Sequence, residues 1–110
     1  MCLLSLTLFE SGELMAKPGV YIICRNGDYL DLPMVKRAHL MYLFEPPLCF
    51  EKDISDRDKV LCHIKDDDFF YDEEIGFFTV DGRQFVKEQV VTYQKATFTI
   101  QLIRKEEHIS

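Results

Sequence analysis

The stretch VYIICRNGDYLDL, residues 20–32, constrains the fold more than any other part of the chain. Two apolar runs bracket Asn26-Gly27, a dipeptide whose residues can both take the positive φ that a two-residue type I′ turn requires. An antiparallel hairpin is expected there. The ends of the chain carry the same signature. Leu4, Leu6 and Leu8 alternate with Ser5 and Thr7, and Phe98, Ile100 and Leu102 alternate with Thr97, Thr99 and Gln101. A period of two puts one apolar row against a core, so both segments read as strands. KVLCHI, residues 59–64, reads as another, and FFTVDGRQFV, residues 77–86, as a second hairpin on Asp81-Gly82.

One segment breaks this rhythm. Asp31 can cap, and Pro33 can occupy, the first turn of a helix over PMVKRAHLMYLF, residues 33–44, where Met34, Ala38 and Met41 share a face. Glu45-Pro46-Pro47 ends it, because proline lacks an amide donor and forces its predecessor out of the helical region. The expected fold is mainly β with an α+β element. It is a small twisted antiparallel sheet, or a half-open barrel built from hairpins, covered by one short helix. At 110 residues the chain suits a single globular domain, 1–110, with an acidic segment, 51–76, inserted between β elements.

The four cysteines, Cys2, Cys24, Cys49 and Cys62, lie singly in mostly apolar surroundings and lack the dense spacing of a secreted scaffold. Reduced thiols in a cytoplasmic protein are expected. If bridges form, Cys49 with Cys62 is the first pair to test. The apolar start, MCLLSLTLF, has no basic leader and meets Glu10 before a cleavage site, so it reads as a strand rather than a signal peptide. Met15 offers an internal start that would make that strand dispensable. The longest apolar runs fall far short of the roughly 18 residues a membrane span requires, so no membrane partner is expected.

Charge is where the sequence becomes specific. The formal net charge is −6, and residues 51–76 hold ten acidic against four basic side chains while the rest of the chain is balanced. Carboxylates that fall within a Debye length of one another, roughly 8 Å at physiological salt, act as one patch. Such a patch repels phosphate, which argues against direct nucleic-acid binding, and attracts basic surfaces.

The densest part is IKDDDFFYDEEIG, residues 64–76. An EF-hand loop starting at Asp66 fails, because Tyr71 would stand where glycine is needed and Phe77 where the bidentate glutamate belongs. A looser Ca²⁺ or Mg²⁺ site on Asp66 and Asp68 is a minor alternative. There is no Cys-x-x-Cys pair for zinc, and no metal or cofactor is expected. Cys62 and His63 are consecutive in a strand, so they point to opposite faces and cannot form a nucleophile–base pair. No Gly-x-Ser-x-Gly elbow or glycine-rich phosphate loop is present, and ten acids in one segment single out no acid–base pair. The balance leans against an enzyme.

What remains is binding. In an extended segment Phe70 faces one way and Phe69 with Tyr71 the other, so at least one ring can anchor an exposed contact. Asp66, Asp67, Asp68, Phe69, Phe70, Tyr71, Asp72, Glu73 and Glu74 form the candidate partner-binding surface. The expected function is that of a small, acidic, non-catalytic protein-binding module. It would be an inhibitor, an immunity-type protein or a nucleic-acid mimic that occupies a basic surface of a toxin, nuclease or other nucleic-acid-binding protein. The alternatives are a small β-barrel that binds a metabolite or performs carboxylate chemistry, and a structural subunit of an assembly.

Overall fold

The computed structural model describes residues 1–9, 19–35, 37–67, 71–86 and 89–104. It contains eight strands: β1 Cys2–Leu8, β2 Val20–Cys24, β3 Tyr29–Leu32, β4 Met41–Cys49, β5 Lys59–Asp66, β6 Glu73–Asp81, β7 Val90–Lys95 and β8 Phe98–Ile103. They form two antiparallel sheets, with strand orders β4-β1-β8-β7 and β3-β2-β5-β6. Among the described residues neither sheet closes on itself.

Alternation along the strands builds the core. Leu6 and Leu8 of β1, with Phe98, Ile100 and Leu102 of β8, line the inner side of the first sheet. Ile22, Cys62, Ile64, Phe78 and Val80 line the inner side of the second, and all join one buried cluster. Phe78 crosses between the layers, its ring 6.3 Å from Phe98 and 5.1 Å from Tyr93. A bulge at Ile75 on β6 leaves that residue's carbonyl free to accept from Thr97 Oγ1 on the other sheet.

The hairpin at Asn26-Gly27 forms, but not as a type I′ turn. The Gly27 N–H donates to the Cys24 carbonyl, so Arg25 and Asn26 are the central residues, and Gly27 alone takes positive φ, at 89°. This is the three-residue loop that ends on a left-handed residue. Asp28, buried behind it, accepts from the backbone N–H groups of Glu51 and Lys52 and ties the turn to the loop that follows β4.

Several expectations need correction. The helix over 33–44 is absent: residues 33–34 and 38–39 are turns, and β4 begins at Met41. Pairing with β1 wins there, with Leu43 opposite Ser5 and Tyr42 opposite Leu6, so Tyr42 and Phe44 turn inward while Met41 and Leu43 face out. His39, at φ 63°, breaks any helical run before it. The prolines do not end the element. They lie in the stretch between Leu43 and Leu48 that the ladder skips, on an edge strand, where a missing amide costs little.

Asp81-Gly82 makes no hairpin either. Asp81 caps a short 3-10 helix, Gly82–Phe85, by accepting from the Arg83 N–H, and the chain then crosses to the other sheet. Glycine is needed at 82 because a Cβ there would lie 1.8 Å from the Ser55 carbonyl oxygen. Segment 51–76 supplies β5 and the start of β6.

The cysteines are not reduced thiols. Cys2 bridges to Cys49 across β1 and β4, and Cys24 bridges to Cys62 across β2 and β5. In both cases the partners stand directly opposite in an antiparallel ladder. Cys49 and Cys62 lie in different sheets and do not meet.

Candidate functional site

The inner row of β2 is Val20, Ile22 and Cys24, which turns Tyr21 and Ile23 outward. Strand register then assembles a continuous outer row across the second sheet, because Ile23 stands opposite Tyr29 on β3 and His63 on β5, and His63 stands opposite Phe77 on β6. Tyr29 and Phe77 are 50% and 52% exposed and Ile23 is 39% exposed, so large apolar groups from three of the four strands face solvent in one line. The Phe77 ring lies 6.2 Å from the His63 ring, and Lys95 Nζ stands 5.7 Å from the Phe77 ring centre.

The neighbouring row is polar. Asp31, Tyr21, Lys65 and Glu74 stand opposite one another in turn. Tyr21 packs on Tyr29 at 5.3 Å, and its hydroxyl donates to the Asp72 carboxylate. Burial and then the Asp72 carboxylate push the Tyr21 phenol above its ordinary range. Burial, followed by Asp31, does the same for Tyr29. Both phenols are held toward the protonated form, and that of Tyr21 is the donor to Asp72. Glu74 accepts from His63 Nδ1, which fixes the ring across the β5–β6 boundary.

Two depressions open onto this face and share Ile23. Tyr21, Tyr29, Asp31, Asp67 and Asp72 line one; Arg25, His63, Lys65 and Glu74 line the other. Both are parts of an open surface rather than enclosed chambers, and among the described residues no group of three His, Cys, Asp or Glu side chains gathers to hold a metal ion.

The described parts of the acidic run border this face. Asp67 follows β5, its N–H donating to the Gly19 carbonyl, and Asp72 reaches Tyr21. Tyr71 is exposed, and Glu74 borders the outer row. Glu73 stands opposite Asp66, half-buried. Asp66 continues the inner row opposite Val20 and is only 6% exposed. Asp68, Phe69 and Phe70 lie outside the described residues, and with them the alternative cation site on Asp66 and Asp68.

Cys62 is buried and bridged while His63 faces outward, which removes the thiolate that a Cys–His pair would need. Sequence reasoning missed Tyr21, Ile23, Tyr29, His63 and Phe77. A signal was available in VYIIC, since a strand apolar at every position has an apolar outer face as well as an inner one. No helix among the described residues is long and apolar enough to cross a membrane. No protein-family model, curated protein or solved structure matches the chain.

Proposed function

We propose that this protein is a non-catalytic binding module that docks the outer face of its β3-β2-β5-β6 sheet onto a basic surface of another protein. The observation that carries the reading is the exposed row Tyr29, Ile23, His63 and Phe77, bordered on one side by Asp31, Asp67, Asp72 and Glu74. Aromatic and aliphatic anchors within a polar rim are the composition of energetic centres in protein interfaces. The rim carboxylates supply the charge that accelerates encounter with a cationic partner.

An inhibitor of a nuclease, toxin or other nucleic-acid-binding protein fits this layout, since such targets present Lys and Arg where phosphate would lie. The metabolite-binding alternative has less support, because the depressions on this face are open and the sheets do not form a barrel. The two cross-strand disulfides support an oxidising working environment over a reduced cytoplasm.

The test is capture from source-cell lysate on three immobilised forms, at low and high salt: wild type, Tyr29→Ala/Phe77→Ala, and Thr99→Ala on the outer side of the other sheet. A basic protein retained by wild type and Thr99→Ala, released by salt, and lost with the double variant supports the reading. Equal retention by all three forms contradicts it.

A further inference from the structure

The two disulfides differ in a way that gives one of them chemistry. Thiol–disulfide exchange needs a thiolate to approach one sulfur in line with the S–S bond, from the side opposite the leaving sulfur. In a cross-strand bridge that line runs sideways through the sheet, so access to each sulfur depends on the strand beyond it. Beyond Cys24 lies Asp28 of the turn into β3, whose carbonyl accepts from the Cys24 N–H; beyond Cys62 lies Phe78 of β6, and beyond Cys2 lies β8, where Ile103 stands directly opposite. All three cysteines are buried, and Cys24 and Cys62 belong to the apolar core. Among the described residues no strand lies beyond Cys49, because β4 is the edge of its sheet, and Cys49 is exposed.

We propose that Cys49 Sγ is a selective thiol-exchange site that takes a low-molecular-mass thiol such as glutathione. The incoming thiolate forms a new S–S bond with Cys49 Sγ. The Cys49–Cys2 bond breaks, and its electron pair leaves on Cys2 Sγ, which takes a proton from water. The products are a mixed disulfide on Cys49 and a free thiol on Cys2. Ladder pairing keeps these residues opposite, with Leu48 against Leu3 and the Phe50 N–H on the Met1 carbonyl, so Cys2 can attack back and expel the thiol. The site is on the sheet that does not carry the docking face, and the Cys24–Cys62 bridge stays closed throughout.

The experiment incubates the native protein with excess glutathione at neutral pH, quenches with acid, alkylates free thiols and maps both modifications by peptide mass spectrometry. The expected result is glutathione on Cys49 with alkylated Cys2, formed at least about 100-fold faster than any opening of Cys24–Cys62, whose exposure requires unfolding of the core. Glutathione first on Cys2, comparable rates at the two bridges, or no reaction before denaturation would overturn the proposal. The same incubation in urea should abolish the selectivity. Selectivity that persists in the unfolded chain would also overturn it, because the preference would then come from local sequence and not from the sheet edge.

Discussion

Phe77 and Phe78 are chemically identical neighbours that the fold sends to opposite sides of one sheet, so truncating each in turn measures the register on which the docking face depends. Phe78 is 2% exposed and packs between the layers against Phe98 and Tyr93. A buried phenylalanine removes about 150–250 Å² from water, which at about 25 cal/mol per Å² is about 4–6 kcal/mol. Alanine keeps part of that burial, and Phe78→Ala should therefore cost about 3–5 kcal/mol. Phe77 leaves half its surface in water and adds exposed contacts with Lys95 and the His63 ring. Its truncation should cost about 1–2 kcal/mol. Urea titrations of the two variants, compared through their midpoints and slopes, read both numbers. Equal losses, or a larger loss at Phe77, would refute the reasoning. A strand shifted by one residue exchanges its faces, and the row Tyr29, Ile23, His63 and Phe77 would no longer line up toward solvent.

Two further outcomes follow from the bridges and the phenols. Cys24→Ala/Cys62→Ala removes a cross-link spanning 38 residues, for which chain entropy gives about 4 kcal/mol; a loss below about 1 kcal/mol in a urea titration would contradict the assigned bridge. Tyr21 and Tyr29 have phenols raised chiefly by burial, so their stabilising contribution is complete below the ordinary phenol value of about 10 and is lost as pH rises through the raised values. Absorbance titration should show late-ionising tyrosines together with falling stability above that pH, and phenols that all ionise near 10 would contradict the account.

The parts of this fold that the sequence revealed are those where a local rule coincides with tertiary pairing. Leu6-Thr7-Leu8 and Phe98 through Leu102 alternate because each turns one row toward the core, and both belong to strands of the same sheet; Leu4 departs from the expected row, because a bulge between Leu3 and Ser5 puts Leu3 in the core instead. The segment at 33–44 misled because helical spacing of Met34, Ala38 and Met41 and a favourable proline are local signals, whereas pairing of Met41–Leu43 with Ser5–Thr7 is a contact across more than thirty residues. Periodicity carries no information about such partners. The same blindness hid the disulfides, since which cysteines face each other depends on strand order. The acidic run was visible as charge, but its place beside Tyr21 and His63 depends on β2 and β5 being neighbours, and the inward turn of Asp66 on the parity of β5.

The most direct measurement of the central claim is side-chain NMR of the labelled protein as a captured basic partner is added. The account predicts that resonances of Tyr29, Ile23, His63 and Phe77 shift together and saturate, that the shifts weaken with added salt, and that Thr7, Thr99 and Gln94 on the outer side of the other sheet stay unmoved. Shifts confined to that other sheet, or a partner that leaves the four-residue row unchanged, would contradict it.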